Sequence, residues 1–345
     1  MSDIAVIGGG AWGTGLAIVL GRKGTHRVRL WAHEPEVCDS IARNRVNEKF
    51  LPGRTIPESV TASNDLPATL RGAAIVVSVM PSQHCRALFQ QMRPLLDPQA
   101  LIVSATKGLE ENSLQRMTEV ITQVLQQDVL KRDDAPTPAV GALSGPSFAQ
   151  EVARGDPTAV TIASASAELV RSVQHEFSDP CFRIYTNSDV VGVELGGALK
   201  NTIAIAAGIC DGLGFGHNSA AALITRGLAE MTRLVVACGG RPETMAGLAG
   251  LGDLVLTCTG GLSRNRSVGV ELGRGKKLPE IIAAMHGMVA EGVFTTSAAV
   301  GLARARNIEM PITEQMHAIL HQGKSPREAI QELMSRAGKS ETRQS

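Results

Sequence analysis

Short apolar runs alternate with helix-like stretches over the first half of the chain. The run "IAVI" passes through a glycine turn into "AWGTGLAIVLGRKG", and "RVRLWAH" leads into "EPEVCDSIARNR", so the predicted order is strand, helix, strand, helix. The runs "AAIVVSVM" and "ALIVSATK", on either side of the helix-like "SQHCRALFQQM", predict two more buried strands, and "AVTIAS" and "FRIYT" predict later ones. Strands that alternate with helices predict an α/β domain with a mostly parallel sheet covered by helices on both faces.

The pattern changes after residue 187. From "NSDVVGVEL" onward, long helical runs rich in alanine and glycine replace the strand-like runs. Asn187, Ser188 and Asp189 are residue types that cap helix starts. We therefore expect a first domain of residues 1–187, an all-helical second domain of residues 188–337, and a flexible polar tail of residues 338–345.

A glycine motif lies between the first predicted strand and the first predicted helix. Gly8, Gly10 and Gly13 have the spacing G-x-G-x-x-G. In dinucleotide-binding folds the first glycine forms the tight turn, the second lets a pyrophosphate approach the backbone, and the third allows the helix to pack closely on the sheet. Free N–H groups at the helix start then bind phosphate. The plainer alternative is a turn without a ligand, but the strand-helix-strand context favours a Rossmann-type, doubly wound domain.

The residues after the second predicted strand bear on the choice between NAD and NADP. Ala32, His33 and Glu34 stand where an acidic side chain holds the adenine ribose of NAD or a cation accepts the extra phosphate of NADP. His33 can present positive charge or a hydrogen bond, whereas Glu34 can hold a ribose hydroxyl or start the next helix. Either cofactor fits this pattern, and we expect NADPH to be favoured.

Lys200 is the one charged residue between Leu195 and Cys210. Burying an ammonium group among apolar neighbours costs roughly several kcal/mol of hydration free energy, unless a partner or a shifted pKa compensates. On a helix, Gly196, Gly197, Ala204 and Ala207 lie on the same side as Lys200, and these small residues leave room for a ligand. Asn201 could bind that ligand from the flank. The alternative is that Lys200 extends its ammonium group out of a helix-helix contact.

Two more segments carry candidate ligand-binding groups. Lys107 ends a predicted strand, and ligands of open α/β sheets bind at the carboxyl ends of strands. Gly145 and Ser147, in "GALSGPSFAQE", offer backbone N–H groups and a hydroxyl to an oxygen-rich substrate. The ordinary alternatives are a solvated lysine and a helix cap at Ser147.

The segment "AGLGDLVLTCTGGLSRNRSVG" predicts an anion site. Asp253 stands between glycine-rich and apolar stretches, and Ser263 precedes a predicted helix whose first turn holds Arg264 and Asn265. Backbone N–H groups, the helix dipole and a guanidinium together suit a phosphate. Since cations are otherwise slightly unfavourable at a helix start, the pattern favours an anionic ligand over a surface arginine.

Composition excludes several other classes of protein. The 345 residues include 34 Lys plus Arg and 33 Asp plus Glu, and the net charge of +1 predicts no binding to nucleic acid. Six cysteines without a C-x-x-C pair, the lack of a signal-like N-terminus, and apolar runs shorter than the ~18 residues of a membrane span predict a cytoplasmic protein without an integral membrane segment. His317 and His321 lack a nearby third ligand, so we expect no metal.

The motifs together resemble those of one family. The chain is similar to the bacterial type of NAD(P)-dependent glycerol-3-phosphate dehydrogenase through "GGGAWGTGLA", "NEKFLPG", "VVSVMPSQ", "SATKGLE", "LSGPSFAQEV", "ELGGALKNTIAIAAGICDGLGFGHNS", "GLGDLVLTCTGGLSRNR" and "AEGV", which span nearly all of it. It departs at Ala11, where many relatives have serine or asparagine. The resemblance implies an enzyme that interconverts sn-glycerol 3-phosphate and dihydroxyacetone phosphate for phospholipid synthesis. We also expect a homodimer.

The resemblance also implies roles for individual residues. Lys200 would be the proton acceptor and donor. Beyond the glycine motif, cofactor-binding positions would be Ala11, Trp12, His33, Lys107, Ala149, Arg264, Val289 and Glu291. Substrate-binding positions would be Lys107, Gly145, Ser147, Lys200, Asn201, Asp253, Ser263, Arg264 and Asn265. Two rival hypotheses stay open at this point: a related dehydrogenase of carboxylate substrates, such as a β-hydroxyacid dehydrogenase or ketopantoate reductase, and a non-catalytic dinucleotide sensor.

Overall fold

The computed structural model describes residues 2–127, 137–285, 290–338 and 340–341. Val289 and most of the predicted tail therefore lie outside the described residues.

Strands and helices alternate up to residue 187. The strands are β1 (Ser2–Ile7), β2 (His26–Trp31), β3 (Val46–Asn47), β4 (Leu51–Thr55), β5 (Val60–Ser63), β6 (Ile75–Ser78), β7 (Leu101–Ser104), β8 (Val140–Ser144), β9 (Thr158–Ala163) and β10 (Phe182–Asn187). The helices are α1 (Ala11–Arg22), α2 (Pro35–Asn44), α3 (Leu66–Leu70), α4 (Cys85–Met92), α5 (Met117–Gln126), α6 (Ala149–Arg154) and α7 (Ala167–Phe177), with short 3₁₀ turns at Ser82–His84 and Arg93–Leu95.

Eight strands form one sheet in the order β10-β9-β8-β7-β6-β1-β2-β5. All neighbours are parallel except β8 and β9, which pair in antiparallel fashion, so β9 and β10 run opposite to the rest of the sheet. The chain order reverses beside β1, between β2 and β6, and such a reversal opens a crevice at the carboxyl ends of the strands. The mostly parallel sheet agrees with the prediction, whereas the short strands β3, β4 and β5 had not been predicted.

Beyond residue 187 the described residues form helices and no strands. These helices are α8 (Val190–Gly212), α9 (His217–Ala237), α10 (Pro242–Met245), α11 (Asp253–Thr259), α12 (Arg264–Gly273), α13 (Leu278–Ala284), α14 (Glu291–Ala305), α15 (Pro311–Gln322) and α16 (Pro326–Met334), with a π-helical turn at Leu248–Gly252. Asp189 caps α8, since its carboxylate accepts a hydrogen bond of 2.9 Å from the N–H of Gly192. A Rossmann-type sheet followed by a helical region confirms the predicted fold class.

Helix α8 is the core of the helical region. Helices α9, α11, α12 and α14 pack around it, and the small residues of the sequence let them approach closely. A methyl group at Gly208, for example, would lie 2.0 Å from the carbonyl oxygen of Arg266 on α12. By length and composition α8 could cross a membrane, but 83% of its most apolar 18-residue window is buried inside the protein. It is a buried core helix in this fold.

Candidate active site

The glycine motif forms the turn between β1 and α1. Gly8 has a φ of +128°, and a Cβ there would lie 2.4 Å from the carbonyl oxygen of Val79 after β6. A Cβ on Gly13 would lie 1.9 Å from the carbonyl oxygen of Gly8. Gly10 has open space around it. Gly8 and Gly13 are therefore required by close packing, while Gly10 leaves room on the outer side of the turn for a ligand.

The amino end of α1 is built to receive an anion. Gly10 is the N-cap residue and offers no side chain to the first-turn N–H groups, and the first turn holds no acidic residue. The indole N–H of Trp12 is buried and has no hydrogen-bond partner among the described residues. Unsatisfied N–H groups at a helix start, together with the helix dipole, bind phosphate.

Asn47 supports this turn from behind, a role that sequence reasoning missed. The residue is fully buried, and its Nδ2 donates to the carbonyl oxygen of Gly9 at 2.8 Å and to Oγ1 of Thr14 at 2.8 Å. The motif "NEKFLPG" contains Asn47, but a single sequence does not reveal that its amide reaches a turn 38 residues away.

His33 lies at the far end of the crevice, after β2. Its ring is exposed and contacts Trp31 at a centroid distance of 6.1 Å. The carboxylates of Glu34 and Glu36 both pair with Nζ of Lys49, at 3.7 and 2.9 Å. The imidazole of His33 is therefore accessible to a phosphate. The two acidic side chains near it are partly neutralised by Lys49.

One buried carboxylate joins the two candidate lysines. Nζ of Lys200 donates to Oδ1 of Asp253 at 2.5 Å, and Nζ of Lys107 donates to Oδ2 at 2.6 Å. Nζ of Lys200 also donates to Oγ1 of Thr257 at 2.7 Å. Asp253 is 1% exposed and Lys200 6%. Lys200 therefore does not extend out of a helix-helix contact into solvent, which was the alternative hypothesis.

Local backbone geometry places Asp253 at this position. The π-helical turn Leu248–Gly252 precedes α11 and delivers Asp253 to its first turn; such turns often occur at functional sites. This turn packs against Gly196 of α8, where a Cβ would lie 2.7 Å from the carbonyl oxygen of Ala249. Thr257 is four residues after Asp253 on α11, so both side chains reach the same side of the helix.

The surroundings change the basicity of Lys200. Burial and, to a smaller extent, the nearby ammonium of Lys107 lower the pKa of Lys200 to about 8, against the opposing effect of Asp253. An amine with this pKa is neutral in an appreciable fraction of molecules near neutral pH. Lys200 can therefore accept a proton as well as donate one.

The segment after β8 borders the same site. Nζ of Lys107 donates to the carbonyl oxygen of Gly145 at 3.2 Å, and Oγ of Ser147 donates to that oxygen at 2.9 Å. Gly145 has a φ of +145° and passes so close to Val160 that a Cβ would lie 2.9 Å from its Cα. Ser147 does not cap α6, because the N-cap position belongs to Phe148. Ala149 begins α6 and lies against α1.

Amide side chains link α8, α12 and α14. Nδ2 of Asn265 donates to Oδ1 of Asn201 at 3.0 Å, and the N–H of Gly292 donates to Oδ1 of Asn265 at 2.9 Å. These contacts fix which end of each amide is the oxygen. Ser263 caps α12 as predicted, accepting from the N–H of Arg266 at 3.2 Å.

Arg264 and Glu291 stand at the entrance between sheet and helices. The Arg264 side chain is exposed, yet desolvation by the surrounding protein lowers its pKa, and Glu291 opposes this effect. Burial raises the pKa of Glu291, and its Oε2 accepts from Oγ of Ser82 at 3.0 Å. Arg264 makes no hydrogen bond or ion pair with any residue in the described ranges, so its guanidinium is free for an anion.

The predicted site residues thus fall into connected groups. Lys107, Gly145, Lys200 and Asp253 are joined by direct hydrogen bonds. The second group begins at Asn201, which follows Lys200: Asn201 accepts a hydrogen bond from Asn265, which in turn accepts one from the N–H of Gly292. The glycine turn and His33 lie further along the carboxyl ends of the strands and have no direct hydrogen bond to Lys200. In the part of the chain that the structure describes, no three His, Cys, Asp or Glu side chains are placed to hold a metal ion.

Models of one protein family match most of the chain. The model described as NAD-dependent glycerol-3-phosphate dehydrogenase N-terminus matches residues 3–170, and the model described as its C-terminus matches residues 189–331. The chain belongs to the NAD-dependent glycerol-3-phosphate dehydrogenase family. The resemblance seen in the sequence is thereby confirmed.

Similar proteins extend over the same length. The chain is 66% identical to a glycerol-3-phosphate dehydrogenase named for NAD(P)+ from Koribacter versatilis, over 99% of both chains. A relative with the same name from Acidobacterium capsulatum is 56% identical over 99% of this chain and 100% of its own. The crystal structure of glycerol-3-phosphate dehydrogenase from Coxiella burnetii is 44% identical, covers 97% of this chain and 99% of that one, and has a TM-score of 0.91.

A member of one rival class is less similar. A ketopantoate reductase from Ralstonia eutropha is 18% identical, with a TM-score of 0.58 over 95% of this chain and 99% of its own. This similarity concerns the fold alone.

Asn47 provides a test of the dehydrogenase's glycine turn. Replacing it by Ala removes the 2.8 Å bond to the carbonyl oxygen of Gly9 and leaves that oxygen the longer bond, 3.4 Å, from Oγ1 of Thr14. We expect a loss of about 1–3 kcal/mol in the free energy of unfolding together with weaker binding of reduced nicotinamide cofactor. Urea denaturation and fluorescence titration measure the two effects. Asn44→Ala, an exposed change at the end of α2, is the control. Wild-type stability and affinity in Asn47→Ala would show that the turn does not need this support.

Proposed function

We propose that Lys200 is the general acid and base of a reversible oxidation of sn-glycerol 3-phosphate to dihydroxyacetone phosphate. Family membership makes the chain an oxidoreductase, a glycerol-3-phosphate dehydrogenase that uses NAD or NADP, as the sequence predicted. One observation supports the role of Lys200 above all: its buried amine and that of Lys107 bind opposite oxygens of Asp253, at the carboxyl edge of the sheet.

The glycine turn fits a dinucleotide cofactor. The uncapped first turn of α1 and the open space at Gly10 would hold the pyrophosphate, and the unpartnered indole N–H of Trp12 would find an acceptor. Ala11, Ala149 and Glu291 border this crevice or its entrance and are proposed cofactor contacts. When bound, the nicotinamide supplies the hydride chemistry. The role proposed for Val289 concerns a residue outside the described ranges.

Lys200 handles the proton in this proposal. As the neutral amine it takes the proton of the C2 hydroxyl during oxidation, and as the ammonium it returns that proton during reduction. Asp253 and Thr257 orient the amine through the hydrogen bonds at Oδ1 and Oγ1. The ammonium of Lys107 stabilises negative charge that develops on the C2 oxygen.

The helical side of the cleft would hold the phosphate of the substrate. No described residue bonds or pairs with the guanidinium of Arg264, and the first turn of α12 adds the N–H groups of Arg264 and Asn265. Ser263 contributes by capping this helix. Oδ1 of Asn201 accepts from Asn265, whereas Nδ2 of Asn201 donates to no described residue and is proposed to bind a substrate hydroxyl. Gly145 and Ser147 are proposed substrate contacts on the sheet side.

Lys200→Ala should abolish most of the turnover. The loss of a positioned acid and base costs about 10²- to 10⁴-fold in kcat, whereas affinity for NADPH should stay near the wild-type value because the glycine turn is unchanged. NADPH oxidation with dihydroxyacetone phosphate, followed by absorbance, measures turnover. Lys276→Ala, an exposed lysine paired with Glu271, is the matched control. A Lys200→Ala enzyme with wild-type turnover would remove the proposed role.

The wider proposals rest on the family and on the sequence. We propose a cytoplasmic enzyme that supplies glycerol 3-phosphate for phospholipid synthesis and acts as a homodimer, with a cofactor domain of residues 1–187 and a substrate domain of residues 188–337. The same assay with ketopantoate in place of dihydroxyacetone phosphate addresses the rival carboxylate substrates, and the absence of turnover with any substrate would favour the sensor.

We also propose that the enzyme prefers NADPH to NADH, and a substitution of His33 tests this preference. His33 is exposed beside the cofactor crevice, while Lys49 occupies the acidic groups of Glu34 and Glu36. His33→Ala should raise KM for NADPH by about 3- to 10-fold, the worth of one exposed charge-assisted hydrogen bond, and leave KM for NADH nearly unchanged. His84→Ala, on the 3₁₀ turn after β6, serves as the control. Equal effects on both cofactors would contradict a contact to the extra phosphate.

A further inference from the structure

The chain segment between β7 and α5 passes from the sheet onto the helical region. We call residues 107–116 the strap; it begins with Lys107 and ends with Arg116. Leu109 and Arg116 form a β-bridge, and the N–H of Glu110 donates to the carbonyl oxygen of Gln115 at 3.0 Å. The strap is therefore a closed, hydrogen-bonded loop rather than an extended linker.

The strap packs into the helical region through two leucines. Leu109 is 4% exposed and belongs to the same hydrophobic core as α8. Leu114 adopts a left-handed conformation, with φ of +59°, which is rare for a residue with a branched side chain. Its side chain lies over Gly301 of α14, where a Cβ would come within 3.1 Å of Cδ2. The contacts of these leucines keep the strap in a conformation that its backbone alone does not favour.

An ion pair fastens the far end of the strap and the start of α5 to α8. Oε2 of Glu194 accepts from Nη1 of Arg116 at 2.6 Å and from Oγ1 of Thr118 at 2.5 Å, while Oε1 accepts from the N–H of Thr118 at 2.8 Å. Burial raises the pKa of Glu194, and Arg116 and Thr118 oppose that effect. We call these three residues the clamp. Both oxygens of the Glu194 carboxylate thus have hydrogen-bond partners, and Glu194 takes no part in the proposed chemistry.

The clamp and the shared carboxylate join the same two segments. Glu194 lies six residues before Lys200 on α8, about 9 Å along the helix axis at 1.5 Å per residue. Arg116 lies nine residues after Lys107. The strap and α8 are therefore fastened at Asp253 near one end and at Glu194 near the other. Loss of the second attachment leaves the strap with its leucine contacts and with the pair between Arg86 of α4 and Glu110, at 2.8 Å, but removes its direct ion pair with α8.

We propose that Glu194 is a positioning residue, which holds the strap against α8 through Arg116 and Thr118 and thereby sets Lys107 beside Asp253 and Lys200. The inference rests on the proposed role of Lys200 and adds the structural element that aligns it.

The expected consequence is a change in the basicity of Lys200. The ionisable groups that face it are Asp253 and Cys258 from α11 and Lys107 from the strap. Burial and the ammonium of Lys107 lower the pKa of Lys200, whereas Asp253 raises it. A strap that moves away admits water and withdraws Lys107, and both changes raise that pKa towards its ordinary value. Oxidation of sn-glycerol 3-phosphate needs the neutral amine, so its pH profile should move to higher pH.

Two variants weaken the clamp to different degrees. Glu194→Gln removes the charge and keeps the shape, and Arg116→Lys keeps the charge but loses the guanidinium fork. Glu119→Gln is the matched control, because Glu119 is the other carboxylate that pairs with Arg116, at 2.7 Å, and lies within α5 rather than on α8. Glutamine also preserves the capping box that Glu119 forms at the start of α5.

Hydrogen exchange of the strap and the pH profile of kcat are measured for each full-length enzyme. We expect Glu194→Gln to speed exchange at residues 107–116 about tenfold, to lower kcat about 3- to 30-fold through misalignment, and to move the rising limb of the oxidation profile up by about half a pH unit or more. KM for NADPH should change less than kcat, because the glycine turn is unaffected. Arg116→Lys should do the same more weakly, and Glu119→Gln should match the wild type.

Faster exchange with an unchanged kcat and pH profile would overturn the proposal, as would a lower melting temperature with wild-type exchange. Should Glu194→Gln not fold, Arg116→Lys decides by the same readouts. A Lys200→Ala enzyme that retains turnover would refute the proposed function instead, and the positioning role with it, whatever the exchange of the strap shows.

Discussion

The site depends on one interaction, the binding of two lysine ammonium groups by the carboxylate of Asp253. It is almost inaccessible to water, and two ammonium groups from different parts of the fold bind its two oxygens. A buried carboxylate without partners would be strongly destabilising, and so would a buried ammonium. Each of the three charges is therefore tolerable only while the others are in place. This mutual dependence brings Lys107, which follows β7, and Lys200, on the core helix α8, to the same carboxylate.

The small residues around α8 follow from that requirement. A Cβ on Gly197, one helical turn before Lys200, would lie 2.4 Å from Oγ of Ser144. The close approach of α8 to β8 excludes bulk water from the amine, and exclusion of water is the larger cause of its lowered pKa. The same packing that stabilises the fold thus also lowers the pKa of Lys200, as the proposed proton transfer requires. Fold stability and basicity are linked through one helix.

The parts of this arrangement with local sequence signals were predictable. Lys200 stands out as a single charge in an apolar run, the glycine motif follows a strand, and Ser263 precedes a helical pattern. The alternation of strands and helices, and its end near Asn187, gave the fold class, because periodicity reports which residues are buried.

Long-range contacts had no such signal. Asp253 lies 53 residues from Lys200 and 146 from Lys107, so its bonds to both could not be derived from spacing. The support that Asn47 gives to Gly9 and the antiparallel pairing of β8 with β9 depend in the same way on tertiary structure. Ser147 resembled a helix cap because its side chain suits one, and only the observed turn shows that it bonds to Gly145 instead.

The pH dependence of kcat for oxidation of sn-glycerol 3-phosphate, in the wild type and in Lys107→Met, tests the central claim most directly. Proton acceptance by a buried lysine with a pKa of about 8 predicts a wild-type rate that rises with pH and levels off above that value. Removal of the Lys107 ammonium withdraws a neighbouring positive charge, so the rising limb should move to higher pH while kcat below it falls. A lysine with such a lowered pKa changes its protonation between about pH 6 and 9. A wild-type rate that is independent of pH over this range would therefore contradict the account. A rising limb of the pH profile at the same pH in both enzymes would contradict it too.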